Sequence, residues 1–216
     1  MKPHILYSFR RCPYAMRARL AIQSAGIQVE LREIVLRDKA PEFVAASAKA
    51  TVPVLIPAVG DMLEESIDIM RWALAQNDPD GWLCLQSAKM SDAENLIARG
   101  DDEFKANLDA YKYADRKAGE DGHAARDLGA VFLAGLNSIL ADSEYLFGGR
   151  ITLADMAIAP FVRQFANVDR TWFDRQDWPD LHRWLTGFLA STKFLNIMIK
   201  YPKWQAGDPP TLFPEL

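Results

Sequence analysis

Apolar positions recur along this chain with two different periods, and the change from one to the other divides it. Between His4 and Gln76 short apolar runs alternate with helical stripes, whereas beyond about residue 87 only the helical period remains. His4–Tyr7 is a short apolar run, the pattern of a buried strand. Ala18, Ala21, Ile22 and Ala25 then return at helical spacing, and Gly26 stands where a helix ends. Gln28–Ile34 begins by alternating, with Val29 and Leu31 on one side, and predicts a second strand. Strand, helix and strand within about thirty residues make a βαβ unit, so the two strands should run parallel.

Pro41–Ala46 has the pattern of a short helix. Thr51–Pro57 is strand-like between prolines, and Pro53, which has no N–H to give to a ladder, belongs at its head or edge. Gly60-Asp61 predicts a turn, Met62–Glu64 a fourth strand closing a hairpin, and Ser66 the cap of a helix whose stripe is Ile67, Met70, Ala73 and Leu74. The order β-α-β-α-β-β-α over residues 4–77 describes a compact α/β domain with a mixed sheet. Asn77–Gly81 breaks the pattern and opens a linker over 78–86.

Residues 87–216 read as an all-helical domain with no strand and an irregular, proline-rich tail from Pro202. Leu128, Val131, Phe132, Gly135, Leu136, Ile139 and Leu140 mark one helix, and Leu181, Trp184, Leu185 and Phe188 another. Thr152 and Asp155 have the spacing of a capping box. The helix that they open is apolar nearly all round, which predicts a buried core element, and Pro160 inside it predicts a kink.

Composition narrows the function classes without choosing one. The chain has 216 residues, a net charge of −4, a pI near 5.4 and no Lys/Arg-rich run, a balance that argues against nucleic acid as partner. No run approaches the ~18 apolar residues of a membrane span, and Arg10, Arg11, Arg17 and Arg19 near the start read against a secretory leader. Two cysteines, Cys12 and Cys84, make no disulfide framework and suit a reducing, cytoplasmic setting. His4, His123 and His182 have no metal-ligand spacing, so no metal is expected. Asp101-Asp102-Glu103 reads as a solvated face.

The chemistry concentrates at Arg10-Arg11-Cys12-Pro13-Tyr14-Ala15. Here a cysteine sits at a strand-to-helix turn, with Pro13 at the first helical position. The partial positive charge of a helix start and two flanking cations favour thiolate. Ala15 stands where a dithiol motif would place its second cysteine, so a mixed disulfide at Cys12 needs an external thiol to resolve it. The plainer alternative is a small hydrophobe at a turn. Glu65-Ser66 at a helix start offers a carboxylate, a hydroxyl and free N–H groups that suit a zwitterion, or simply an N-cap. Only ~5–6% of X–Pro bonds are cis, so the residues alone predict a trans bond before Pro53.

Together these motifs resemble the cytosolic glutathione S-transferases, and within them the cysteine-type, omega-like members. The resemblance is carried by Arg-Cys-Pro-Tyr-Ala at 11–15, Val-Pro-Val-Leu at 52–55, Glu-Ser at 65–66 and Ile-Thr-Leu-Ala-Asp at 151–155. It implies a thioredoxin-like glutathione-binding domain over residues 1–77 and an all-helical domain over 87–216. It also implies a cis bond before Pro53, the Val52 backbone pairing with the cysteinyl part of glutathione, and Glu65 and Ser66 on its γ-glutamyl end. Lys39 would lie near the glycine end, and Cys12 would form the mixed disulfide. Tyr7 and Ser8 lie close by, as in members that use a hydroxyl, but the Cys-Pro motif favours Cys12. Glutathione would then be a cosubstrate, with no permanently bound cofactor.

The expected activity is glutathione-dependent thiol transfer or reduction, of thioltransferase or dehydroascorbate-reductase type, on a small electrophilic or disulfide substrate, by a homodimer. Alternatives on the same fold are conjugation of glutathione to hydrophobic electrophiles, a family specialisation as dehalogenase or isomerase, and a non-catalytic adaptor that binds a protein partner. For the second substrate, Tyr111, Tyr113 and Arg163 are positional candidates. Tyr111, Tyr113 and Arg116 also share one helix, where half-buried surface is the simpler expectation.

Overall fold

The computed structural model describes residues 2–114 and 121–215; Arg116 lies outside them. Strands β1 (His4–Ser8) and β2 (Val29–Glu33) pair in parallel, His4 opposite Val29 and Ser8 opposite Glu33, and α1 (Pro13–Ser24) makes the crossover. Pro13 is the first residue of α1, and Gly26, with φ of 66°, follows its end in the left-handed conformation that glycine tolerates best. A short α2 (Pro41–Ala46) precedes β3 (Val54–Ile56), which pairs antiparallel with β1, Leu6 opposite Leu55. The helix α3 (Ser66–Gln76) then packs on α1.

Several sequence expectations change here. The bond before Pro53 is cis, as the resemblance implies and against the residue-level expectation. The Met62–Glu64 strand shrinks to a single bridge in which Leu55 and Leu63 exchange two backbone hydrogen bonds of 2.8 and 2.9 Å. The fourth strand is β4 (Leu212–Phe213), in the stretch expected to be an irregular tail. It pairs antiparallel with β2 and gives the sheet the order β3-β1-β2-β4. A two-residue strand leaves no periodicity to read, and only the open edge of β2 selects it.

The chain divides into two compact units, Met1–Asp80 with Ser191–Leu216, and Gly81–Ala190. Residues 191–216, expected in the helical domain, thus group with the sheet. In the first unit one face of the sheet carries Tyr7, Ile34 and Val54, which pack with Phe43 of α2 and Trp204. By strand parity Leu6, Leu31 and Leu55, all buried, lie on the other face.

The second unit contains α4 (Ser87–Arg99), a π-helical turn (Gly100–Phe104) and α5 (Lys105–Lys112). These are followed by α6 (His123–Ala141), α7 (Leu153–Ala166), α8 (Arg170–Asp174) and α9 (Pro179–Ala190). Phe104 stacks on Phe132 with ring centroids 4.7 Å apart and tilts against Phe165 at 5.5 Å. Gly129 permits this close packing, since a Cβ there would stand 2.6 Å from the Phe165 ring. The α6 helix is long and apolar enough, by length and composition, to cross a membrane, although no run of that kind was expected. One face of α6 buries Phe132, Leu133, Leu136 and Leu140 in the unit, while Leu128 (62%) and Val131 (69%) face solvent on another.

The α7 helix is buried nearly all round, as its composition predicts, and Pro160 lies inside one continuous helix. Its capping box is formed. Asp155 Oδ2 accepts from the Thr152 N–H (2.8 Å) and hydroxyl (2.7 Å), and Oδ1 accepts from the Leu146 N–H (3.0 Å) and Trp184 Nε1 (2.9 Å). Burial pushes the Asp155 carboxyl above the usual carboxylate range, and these four hydrogen bonds oppose that shift. Both oxygens serve as acceptors, so an amide of the same shape would turn an NH₂ toward two donors. Asp155→Asn should therefore cost about 2–3 kcal/mol of stability, read as a lower urea midpoint. A midpoint equal to wild type would contradict this account.

Candidate active site

Cys12 is the N-cap of α1, in extended conformation with φ −77° and ψ 123°. Its own N–H closes a turn onto the Phe9 carbonyl at 2.9 Å, and its carbonyl accepts the first helical bond from the Met16 N–H at 2.9 Å. Proline at the next position removes one of the N–H groups that a helix start leaves without partners. The side chain is half-buried against the cluster of Tyr7, Val52 and Val54, and its thiol donates to the Val52 carbonyl across 3.7 Å. The thiol, the Val52 backbone and cis-Pro53 therefore meet at one place. That is what a thiol needs in order to face an extended peptide-like ligand lying along Val52.

Glu65 and Ser66 form the start of α3, but with the roles exchanged. Glu65 is the N-cap and Ser66 the first helical residue, and neither side chain caps the helix. Instead the buried Ser66 hydroxyl accepts from Arg17 Nη1 at 3.3 Å. Arg17 lies on α1 with no exposed surface, so one helix carries both the thiol and the cation behind Ser66. The exposed Glu65 carboxylate holds the Lys49 ammonium at 2.6 Å, and that contact raises the Lys49 pKa. A carboxylate that already binds an ammonium, next to a hydroxyl backed by a buried guanidinium, is a pair of sites with the polarity of an amino-acid zwitterion.

Lys39 is not drawn into this group. It stands exposed between β2 and α2 and makes no hydrogen bond or ion pair with another described residue, while its neighbour Asp38 pairs with Lys203. The hydroxyls near Cys12 are also engaged elsewhere or enclosed: Tyr7 accepts from Arg32 Nη1 at 2.7 Å, and Ser8 is fully buried. Nor do the flanking arginines point their charges at the thiol. Arg10 Nη1 donates to the Met198 carbonyl at 3.3 Å, and Arg11 lies over the Phe9 ring at 5.4 Å.

Residues 6–81 match the family described as glutathione S-transferase, N-terminal domain, and residues 122–187 the one described as glutathione S-transferase, C-terminal domain. A protein of Oryza sativa subsp. indica named probable glutathione S-transferase GSTU1 is 30% identical over 179 residues, covering 78% of this chain and 77% of that protein. The chain belongs to the glutathione S-transferase family.

Solved glutathione S-transferases share its fold. A family member from Pseudomonas fluorescens, solved with two glutathione bound, superposes with a TM-score of 0.80 at 18% identity, over 91% of this chain and 92% of that one. The glutathione transferase Omega 3C of Trametes versicolor gives 0.76 at 15% identity, over 94% and 91%. A Tau class enzyme from Mangifera indica gives 0.75 at 20%, over 92% and 93%.

Within this glutathione S-transferase, three cations that the motifs did not single out shape the site: Lys49 on Glu65, Arg17 on Ser66, and the buried Arg19. Of these, Arg17 and Arg19 entered the sequence reading only as charges near the start of the chain. Among the second-substrate candidates, Tyr111 is buried and packs on Phe165 at 5.2 Å, which makes it core. Tyr113 is partly exposed, with the Lys112 ammonium 4.8 Å from its ring.

Removing the Ser66 hydroxyl takes an acceptor from a buried guanidinium. Ser66→Ala should lower stability by about 1–3 kcal/mol in urea unfolding; an unchanged midpoint would show that Arg17 does not depend on it.

Proposed function

We propose that this glutathione S-transferase is a cysteine-type, omega-like member that carries out glutathione-dependent thiol transfer or reduction through Cys12, on a small disulfide or electrophilic substrate. The observation that carries the reading is the Cys12 thiol at the N-terminus of α1, 3.7 Å from the Val52 carbonyl beside cis-Pro53. The relatives solved with glutathione bound add weight to glutathione as cosubstrate.

In the proposed reaction the helix start favours the Cys12 thiolate. That thiolate attacks the glutathionyl sulfur of a mixed disulfide. The S–S bond breaks, Cys12 becomes glutathionylated, and the substrate leaves as a thiolate that takes up a proton. A second glutathione, as thiolate, attacks the Cys12 adduct, which frees the Cys12 thiolate and releases oxidised glutathione. No second cysteine is needed, in keeping with Ala15 at the position where a dithiol motif would have one.

Glutathione would lie with its cysteinyl backbone along Val52 and its γ-glutamyl ammonium on Glu65. The γ-glutamyl carboxylate would face Ser66, whose hydroxyl is backed by Arg17, and the glycine carboxylate would lie toward Lys39. For Glu65 to take this ammonium, Lys49 must yield its place, an exchange of one ammonium for another at similar cost. The chemistry needs a reduced thiol, which fits a cytoplasmic setting. Conjugation to hydrophobic electrophiles is the second reading, favoured by the 30% identity to a GSTU1 rather than to an omega-named protein.

Deglutathionylation of a small mixed disulfide separates the two readings. Cys12→Ala should lose it by about a thousandfold or more, whereas equal rates would sink the proposal. A Cys12→Ser variant that gained conjugating activity would favour the second reading.

A homodimer is part of the proposal, and Leu128 and Val131 on α6 are an apolar surface that a second copy would cover. Sedimentation should give twice the 24.3 kDa chain mass, and Val131→Glu should shift the species toward monomer. A wild-type monomer at micromolar concentration would remove this part of the proposal.

A further inference from the structure

We propose that Arg19 and Glu33 are positioning residues for Cys12: a buried ion pair holds both backbone polar atoms of Arg10, and with them the two successive peptide groups of the turn that aims the thiol. The inference rests on the reading of Cys12 as the reacting group.

The turn from Phe9 to Cys12 is the only covalent link between the end of β1 and the start of α1. Its Arg10 N–H donates to Glu33 Oε1 at 2.7 Å, and its Arg10 carbonyl accepts from Arg19 Nη2 at 2.8 Å. Arg19 Nη1 and Glu33 Oε2 are 4.0 Å apart. Both backbone polar atoms of Arg10, which belong to the two successive peptide groups on either side of its Cα, are therefore held by charged side chains from two different elements. Glu33 ends β2, and Arg19 reaches back from α1 to the loop that leads into that helix. Charge-assisted bonds of this kind are shorter and roughly twice as strong as neutral ones.

Packing alone does not explain an arginine here. Position 19 is fully buried and lies between the buried Ala18 and Leu20. Arg19 Nε and Nη1 and Glu33 Oε2 make no hydrogen bond with other described residues. A buried ion pair is often no more stabilising than apolar side chains of similar volume. Burial pushes the Arg19 pKa down to about 10, against the attraction of Glu33, Cys12 and Tyr201 and with the repulsion of Arg10. The guanidinium therefore remains charged at neutral pH.

Burial likewise pushes the Glu33 carboxyl up, opposed by the Arg10 N–H and by the charges of Arg19 and Arg10. The charged and titratable groups around the pair are thus Arg10 of the turn, Cys12 at the helix start and Tyr201 of the C-terminal segment. The Arg19 guanidinium and the Cys12 sulfur attract one another, which favours the thiolate, and a carboxylate beside that guanidinium offsets part of its charge. A clamp made of both charges predicts opposite electrostatic effects from its two halves, and a general loosening of the fold does not.

The test is alkylation of Cys12 by iodoacetamide across pH, followed by mass spectrometry in a Cys84→Ser background, with Arg19→Met, Arg19→Lys and Glu33→Gln. It needs no glutathione, so it can fail or succeed independently of the thiol-transfer assay on Cys12→Ala. Arg19→Met should slow alkylation at neutral pH by about tenfold and raise its pH midpoint by about one unit. Arg19→Lys should bring the midpoint back while the rate at high pH stays below that of the parent, because an ammonium lacks the guanidinium fork. Glu33→Gln should lower the midpoint.

Rates and midpoints within twofold and 0.3 unit of the parent in all three variants, taking about 0.3 unit as a twofold change, would overturn the proposal. So would midpoints that move the same way in Arg19→Met and Glu33→Gln. If Arg19→Met does not fold, Arg19→Lys and Glu33→Gln carry the comparison: the proposal stands on a slower high-pH rate in the first with a lowered midpoint in the second, and falls without them.

Discussion

Because β1 and β2 run parallel and finish level, with Ser8 opposite Glu33, both strands stop at the same edge of the sheet. The ladder continues one step further, since the Ile34 N–H donates to the Ser8 carbonyl at 2.7 Å. The turn that leaves β1 therefore passes directly over the carboxylate that ends β2. Everything proposed about Cys12 depends on that register. A slip of one residue would turn Glu33 to the other face and leave the Arg10 peptide without its acceptor. The antiparallel pairing of β1 with β3 works from the other side and brings the Val52 carbonyl to the thiol.

Most of this architecture was legible in the sequence for identifiable reasons. Met70, Ala73 and Leu74 show the helical period because one side of α3 is buried, whereas the Ala18 and Ile22 stripe lies on an α1 that is buried nearly all round. Pro13 and Gly26 mark both ends of α1 because their backbone chemistry fits few other places. The site was readable where a motif is local, as at Cys12, Val52-Pro53 and Glu65-Ser66. What escaped reading joins distant parts of the chain. Leu212–Phe213 is a strand only because β2 has an open edge. Met62–Glu64 had strand-like composition, but only Leu63 meets a partner. Arg17 and Arg19 entered the sequence reading only as charges near the start of the chain, since a buried guanidinium is recognisable only with its acceptors.

The helical unit solves the same problem with one carboxylate. Asp155 sits almost without exposure and uses both oxygens to tie the α7 start to the 146–152 loop and to Trp184 of α9. Both units thus spend a buried acid on holding loop backbone in place, Glu33 at the Arg10 peptide and Asp155 at the Leu146 and Thr152 peptides. Apolar packing sets where the elements lie, but it is non-directional. Orienting a single peptide group takes hydrogen bonds of defined direction.

The grouping of Ser191–Leu216 with the first eighty residues bears on how the chain is made. During synthesis β1, α1, β2, α2, β3 and α3 all emerge before the helical unit. The edge of β2 then lacks its partner, and the Tyr7 face lacks Trp204, until residues 191–216 arrive. The unit that bears Cys12 thus lacks part of its chain until the helical unit has been made. The Trp204 N–H bonds the Glu33 carbonyl at 2.9 Å, so a stretch made after the helical unit seals the residue that grips the turn before the thiol.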